Sequence, residues 1–408
     1  MLALRLARAA HPLVHLRRLL VAAASAGTGF LLLCTLGYAM AHPQASTGSA
    51  LRLAWCLAPM AATVYFAVAV ARTDPGTRPR SGLAAIGLGP GRLMALSALT
   101  TALSTVFGSL LALLAFLHVR GDLPGGALGG RAADFLATDQ PLPLPAALTL
   151  LAVVPVTASL ASALVLRPHE ERRRRAGRRK AEADADTEVS AEVPGTVVDP
   201  DRPAAPRPAP GGLPWGVAAL AAGLAVETYA GRTSPAAGPW LPGDPARGPL
   251  AVPVGWALTA LGLLLAGPAL TYLCGRLLQA VRPGAVRLLA GRGLQEEAGR
   301  IGRPLGVVSA VASGAYATAA LSADATRSFG PLTALGALLV TGCTLATLAV
   351  AAIEARQARA ATVAGLVRLG APATLLRNAV LLRAAVLIVV FVPLTWAVAE
   401  LAALPLRG

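Results

Sequence analysis

Charge is what this chain has little of. Of 408 residues only 14% are Asp, Glu, Lys or Arg, whereas 55% are hydrophobic and the mean hydropathy is +0.63. A soluble domain carries about a quarter of its residues charged, so composition excludes a soluble protein and points to an integral membrane one. Lysine is nearly absent, with Lys180 alone among 36 basic residues. The phosphate-binding loop GxxxxGK[ST] needs a lysine behind its glycines, so ATP binding through such a loop is excluded. Cysteine is limited to Cys34, Cys56, Cys274 and Cys343, all in apolar runs. None has CxxC or another metal-type spacing, and they are expected to pack as small hydrophobes. His11 and His15 share an i, i+4 spacing that can chelate a metal, but Pro12 lies between them and no carboxylate follows. No Ser–His–Asp or paired-carboxylate pattern is readable in the apolar runs. No catalytic residue, metal or cofactor is therefore expected.

What is present is a series of apolar runs of spanning length, ~17–25 residues. They cover 19–41, 51–71, 93–118, 143–166, 212–230, 250–275, 305–323, 331–353 and 378–403. The expected fold is all-α, a polytopic transmembrane helix bundle of about nine to ten spans. The run 305–323 ("LGVVSAVASGAYATAALSA") is small and polar for a span, and its Gly, Ala and Ser would permit close helix approach. The first run is longer than the ~7–15 apolar residues of a signal peptide, so a retained first span is expected.

Basic residues set the orientation. With the N-terminus inside, the inner segments carry 28 Lys and Arg and the outer ones seven (Arg52, Arg120, Arg131, Arg232, Arg247, Arg327 and Arg407), with Arg383 in the last span. That asymmetry predicts a cytoplasmic N-terminus. It also accounts for the net charge of +16 without nucleic acid. The abundant Arg, Ala, Gly and Pro indicate a bacterium with a GC-rich genome, and the multi-pass chain is assigned to its plasma membrane. Residues 167–210 read as a basic and then Pro-rich disordered cytoplasmic linker. Its block Arg172 to Lys180 either halts transfer or meets anionic lipid. Ionisable residues within spans are few. Glu227 and Glu400 lie near outer span ends, in reach of water, and Arg383 is close enough to the inner face to snorkel. That scarcity argues against an ion-coupled carrier, and suits an apolar or amphipathic substrate.

Two stretches match. "GLAAIGLGPGRLMALSALTTAL" begins at Gly82 and "GLVRLGAPATLLRNAVLLRAAVL" at Gly365. Gly82 aligns with Gly365, Leu83 with Leu366, Ile86 with Leu369 and Gly87 with Gly370. Each follows a span running inward and precedes one running back out. "RLARAAHPLVHLRRLLVAAA" before the first span likewise parallels "RLLAGRGLQEEAGRIGRPLGVVSA" from Arg287. The chain reads as two parallel repeats: 1–166 with four spans, the linker 167–210, two linking spans in 211–280, and 281–408 with three spans and a fourth expected. Each cytoplasmic element is expected to be a short amphipathic helix, lying in the interface plane or docking into a partner's groove. Gly370 suits a left-handed helix end and Pro372 the turn beyond it.

With these elements the chain resembles FtsX-like permeases, the membrane subunits of ABC transporters of the macrolide-exporter and lipoprotein-release class. The carrying residues are "GLVRLGA", with Glu354, Arg356 and Arg359 upstream and Arg377 downstream, and "GLAAIGLGPGR" with Arg78 and Arg80 upstream. The resemblance implies a permease driven by a separate cytoplasmic P-loop ATPase, a dimer, and surrounded by membrane lipids. The ATPase would contact Gly82, Leu83, Ile86, Gly87, Arg92, Glu354, Arg356, Arg359, Leu366, Arg368, Leu369 and Gly370. Departures are visible. The acidic position before the motif is Pro79 in one copy and Thr362 in the other, Ala84 and Ala85 weaken the first copy, and nine spans stand where the family plan has ten. Large extracytoplasmic domains are lacking. The alternatives are a non-transporting membrane regulator of the same architecture and a secondary carrier.

Overall fold

In a computed structural model of the chain, the structure describes residues 12–44, 46–73, 90–122, 141–166, 210–233, 251–280, 284–323 and 330–407. Among them nine helices follow one another and no strand occurs. They are α1 (Pro12–Ala41), α2 (Ser46–Thr73), α3 (Pro90–Arg120), α4 (Leu144–Leu166), α5 (Leu213–Thr233), α6 (Ala251–Ala280), α7 (Ala285–Ala323), α8 (Pro331–Arg368) and α9 (Ala373–Arg407). Eight of them, α1 to α6, α8 and α9, are long and apolar enough to cross a membrane. The protein is an all-α polytopic helix bundle, as its composition predicts. The linker falls outside the described residues apart from Pro210, and so do the stretches 123–140 and 234–250.

The run 305–323 is helical, and it is continuous with the basic entry segment before it. It is the second half of α7, which runs unbroken for 39 residues through Pro304. At 1.5 Å per residue α7 is about 58 Å long. Its first half carries Arg287, Arg292, Glu296, Glu297, Arg300 and Arg303, which is why it falls short of the other helices in hydropathy. Five helices keep an internal proline (Pro59, Pro155, Pro268, Pro304 and Pro393) without ending there. Neighbouring helices and hydroxyl side chains re-satisfy the backbone groups a proline frees in such settings.

The bundle is built inside out relative to a soluble one. Leu103, Val156, Leu338 and Val389 stand exposed on outer faces, whereas Thr28, Thr63, Thr105 and Ser162 are buried. Lipid tails solvate leucine, so close packing and hydrogen bonds between small residues hold the helices instead. α1 packs on α2, α3 and α4, and α8 leans on α1 and α2. One buried cluster joins Val21, Phe66, Ala158 and Cys343 from four of these helices. The Thr28 and Thr63 hydroxyls bond to one another at 2.9 Å, and Ser25 donates to the Thr105 carbonyl at 2.9 Å. All four cysteines are buried and free, packed as small core residues.

The second group is held by glycine. α6 lies along both α5 and α7, and α9 packs on α7 and α5. A Cβ at Gly267 would stand 2.2 Å from the Gly302 carbonyl oxygen, and one at Gly306 2.4 Å from that of Leu263. Gly275 and Gly291 oppose each other in the same way, each Cβ falling 2.6 Å from the other's carbonyl oxygen. The backbones of α6 and α7 thus touch directly. The close approach that small residues in 305–323 suggest is made at Gly306, and it extends about four turns earlier, through Gly302 to Gly291.

Candidate functional site

The candidate site is the end of α8 and its turn into α9. α8 does not stop where its apolar part does. Residues 351–368 ("AAIEARQARAATVAGLVR") are rich in Ala and Arg, strong helix formers, and hold no proline. The helix therefore continues about 22 Å past the apolar run that ends at 353. The expected short interfacial helix is instead the continuous tip of this 38-residue helix. Its direction is that of α8, and it does not run in the interface plane as a separate element.

The end is a Schellman motif. Gly370 has φ 86°, the left-handed region that a Cβ disfavours. Its N–H donates to the Val367 carbonyl at 3.0 Å, and the Ala371 N–H to that of Leu366 at 3.0 Å. This is the paired bonding that satisfies the last carbonyls of a helix. The Pro372 carbonyl then accepts from Leu375 at 3.1 Å, opening α9. The role expected of Gly370 is the one it takes. The turn carries uncovered apolar side chains: Leu369 is 86% exposed and Val367 54%. Arg356 and Arg368 are exposed as well, with Leu366 half-buried. Arg368 also complements the negative end of the helix dipole.

Two other expected contact residues turn inward. Arg359 forms an ion pair with Glu297 of α7, with Nη2 donating to Oε2 and Nε facing Oε1. Glu297 is buried. Burial pushes its carboxyl up from the ordinary value, and the Arg359 and then Arg383 guanidinium groups oppose that shift. Arg383 of α9 reaches back along its helix and donates from Nη2 to the Leu289 carbonyl at 2.7 Å. The space it occupies exists because residue 293 is glycine: a Cβ there would fall 2.0 Å from Arg383 Nη2. Arg383 thus finds a specific acceptor on α7. Glu354 faces a crevice between α2, α7 and α8.

The structure accordingly brings the second-copy residues to one end of the bundle but divides them between an outward and an inward set. Gly82, Leu83, Ile86 and Gly87 lie outside the described residues. Arg92 falls in the first turn of α3, with its side chain outside the description. Sequence reasoning missed Glu297 as a partner. The available signal was an acidic pair, Glu296–Glu297, within an otherwise basic segment.

A second correction concerns Glu227. It is not in reach of water but fully buried between α5 and α6. The Thr259 hydroxyl donates to its Oε1 at 3.1 Å, and its Oε2 has no hydrogen-bond partner among the described residues. Gly255 faces it, where a Cβ would meet Glu227 Cγ at 2.5 Å. Glu400 accepts from the Tyr316 hydroxyl at 2.6 Å. Among the described residues no group of three His, Cys, Asp or Glu could hold a metal ion. Comparison with family models, with curated proteins and with solved structures gives no match.

Proposed function

We propose that the chain is a membrane permease subunit driven by a separate cytoplasmic P-loop ATPase, with the α8–α9 turn as the element the ATPase holds. The observation that carries the proposal is the tip itself. A rigid helix end, closed by Gly370 and bearing uncovered Leu369 and Val367, suits insertion into a groove of a soluble protein. The pair Arg359–Glu297 would pass a displacement of that tip to α7. Packing is compatible with two parallel repeats. The first helix of each, α1 or α7, packs more on the third, α3 or α9, than on the second, α2 or α8, and the two second helices meet. The lack of a lysine-bearing phosphate loop leaves energy to be supplied from outside the chain. On this proposal the basic ends of the helices face the cytoplasm of a bacterial plasma membrane, and the substrate is apolar or amphipathic.

The test is copurification from mild detergent with a tagged chain, followed by ATP hydrolysis in reconstituted vesicles. A stoichiometric P-loop ATPase is expected, lost on Leu369→Glu, a change that removes no internal packing. Transport in vesicles containing this chain alone would overturn the proposal.

One observation favours a second reading, a secondary carrier. Glu227 is a fully buried acid within a span, and such groups mark ion or proton pathways by default. Transport abolished by Glu227→Gln and by collapse of the proton gradient, with no ATPase present, would select it.

A further inference from the structure

The α2, α7 and α8 helices diverge at their basic ends and leave a crevice of about 160 Å³. By the space a water needs, that holds on the order of ten waters. Three guanidinium groups line it: Arg72 from the last turn of α2, and Arg300 and Arg303 from α7. The two on α7 are three residues apart and so share a face. All three are exposed to the crevice mouth, and among the described residues none forms an ion pair. Tyr65 contributes a half-buried phenol with no hydrogen-bond partner among the described residues. Among the described residues the only carboxylate in the wall is Glu354, which pairs with none of the arginines.

We propose that this crevice binds a phosphate-bearing anion, the headgroup of an anionic phospholipid or free phosphate, between Arg72 and the Arg300–Arg303 pair. Guanidinium groups present planar, paired donors that match phosphate oxygens, and Tyr65 adds a neutral donor at the base. Like charges gathered without partners make a site of positive potential that an anion relieves. Glu354 lowers that potential without cancelling it, which gives the site a sign that can be tested from both directions. Val68 and Val350 supply apolar wall beside the charges, where an acyl chain can lie. The location also has a consequence. α2 belongs to the group around α1, α7 to the group around α6, and the two helices scarcely touch. A phosphate held by both would tie the groups together at this end. Binding of this kind requires only the helices and their charges, with or without an ATPase.

The experiment is native mass spectrometry of the full chain in neutral detergent, titrated with phosphatidylglycerol or phosphatidylcholine, with and without inorganic phosphate. Phosphatidylglycerol is expected to be retained over phosphatidylcholine. Each of Arg72→Gln, Arg300→Gln and Arg303→Gln should weaken retention roughly five-fold, as expected for one basic residue near an anionic headgroup. Glu354→Gln should strengthen it. Arg292→Gln, exposed on α7 outside the crevice, should leave it unchanged. Displacement by millimolar inorganic phosphate assigns the site to free phosphate, and persistence assigns it to the lipid headgroup. Equal retention of the two lipids together with no phosphate effect, or equal losses with Arg292→Gln and the crevice variants, would overturn the proposal.

Discussion

Glu297 of α7 and Arg359 of α8 are paired side chain to side chain, 62 residues apart in sequence. Neither is fully solvated: the Glu297 side chain is 9% exposed and that of Arg359 26%. Deleting one member of a buried pair costs about 3–5 kcal/mol, and the half-open arginine reduces that here, so Arg359→Gln is expected to destabilise by about 2 kcal/mol. The loss should depend on pH with a definite sign. Burial holds the Glu297 carboxyl above its ordinary value, and without Arg359 it rises further. A raised acid binds more protons folded than unfolded, so stability falls as pH rises through that interval. The Arg359→Gln protein should therefore recover stability, relative to wild type, as pH falls from neutral toward the ordinary carboxylate range. Thermal unfolding in detergent at several pH values checks this, and a deficit growing toward acid would contradict the pairing.

Two glycines five residues apart should respond oppositely to alanine. Gly370 sits at φ 86° with open space around it, so Gly370→Ala suffers from backbone strain alone, about 1 kcal/mol. Gly370→Asn should cost less, because asparagine tolerates that region. Gly365 lies inside α8 and a Cβ there meets nothing within 4 Å. Gly365→Ala should stabilise by about 0.5–1 kcal/mol. Melting temperatures of the three variants decide it.

Gly302→Leu should be worse than either. A Cβ there falls 2.5 Å from the Pro268 Cα, a backbone atom that cannot step aside. Overpacking of this kind costs about 1–3 kcal/mol or more, and the α6–α7 contact should open. A cysteine pair placed across the crossing would cross-link less efficiently in the Gly302→Leu background than in wild type.

Glu227 provides a conservative and a disruptive variant. Glu227→Gln keeps an acceptor for the Thr259 hydroxyl, bonded at 3.1 Å, and is expected to stay within about 1 kcal/mol of wild type. Glu227→Ala leaves that hydroxyl unpaired in a dry interface, a loss of about 1–3 kcal/mol. Equal melting of the two variants would mean that the hydrogen bond contributes nothing.

Class and punctuation could be read from the residues alone. Spanning helices need only a long apolar run, because a backbone without water must bond to itself, and runs are visible one after another. The end of α8 was legible for the same local reason: a glycine two residues before a proline, behind a helix-forming stretch, has few other conformations open to it. The tertiary structure decided what local pattern cannot carry. Whether α8 stops at the membrane or runs on depends on its continuous helix propensity outweighing the change from apolar to charged residues. Whether Arg359 faces a partner or its own chain depends on where α7 lies, since a charge reads the same in sequence whichever way it points. Glu227 was misjudged by its six-residue distance from the end of α5, about 9 Å along the axis. What encloses it is α6, which comes close because Gly223 and Gly262 carry no side chain: a Cβ at either would fall 2.6 Å from a backbone nitrogen across the contact, of Thr259 and Leu220 respectively.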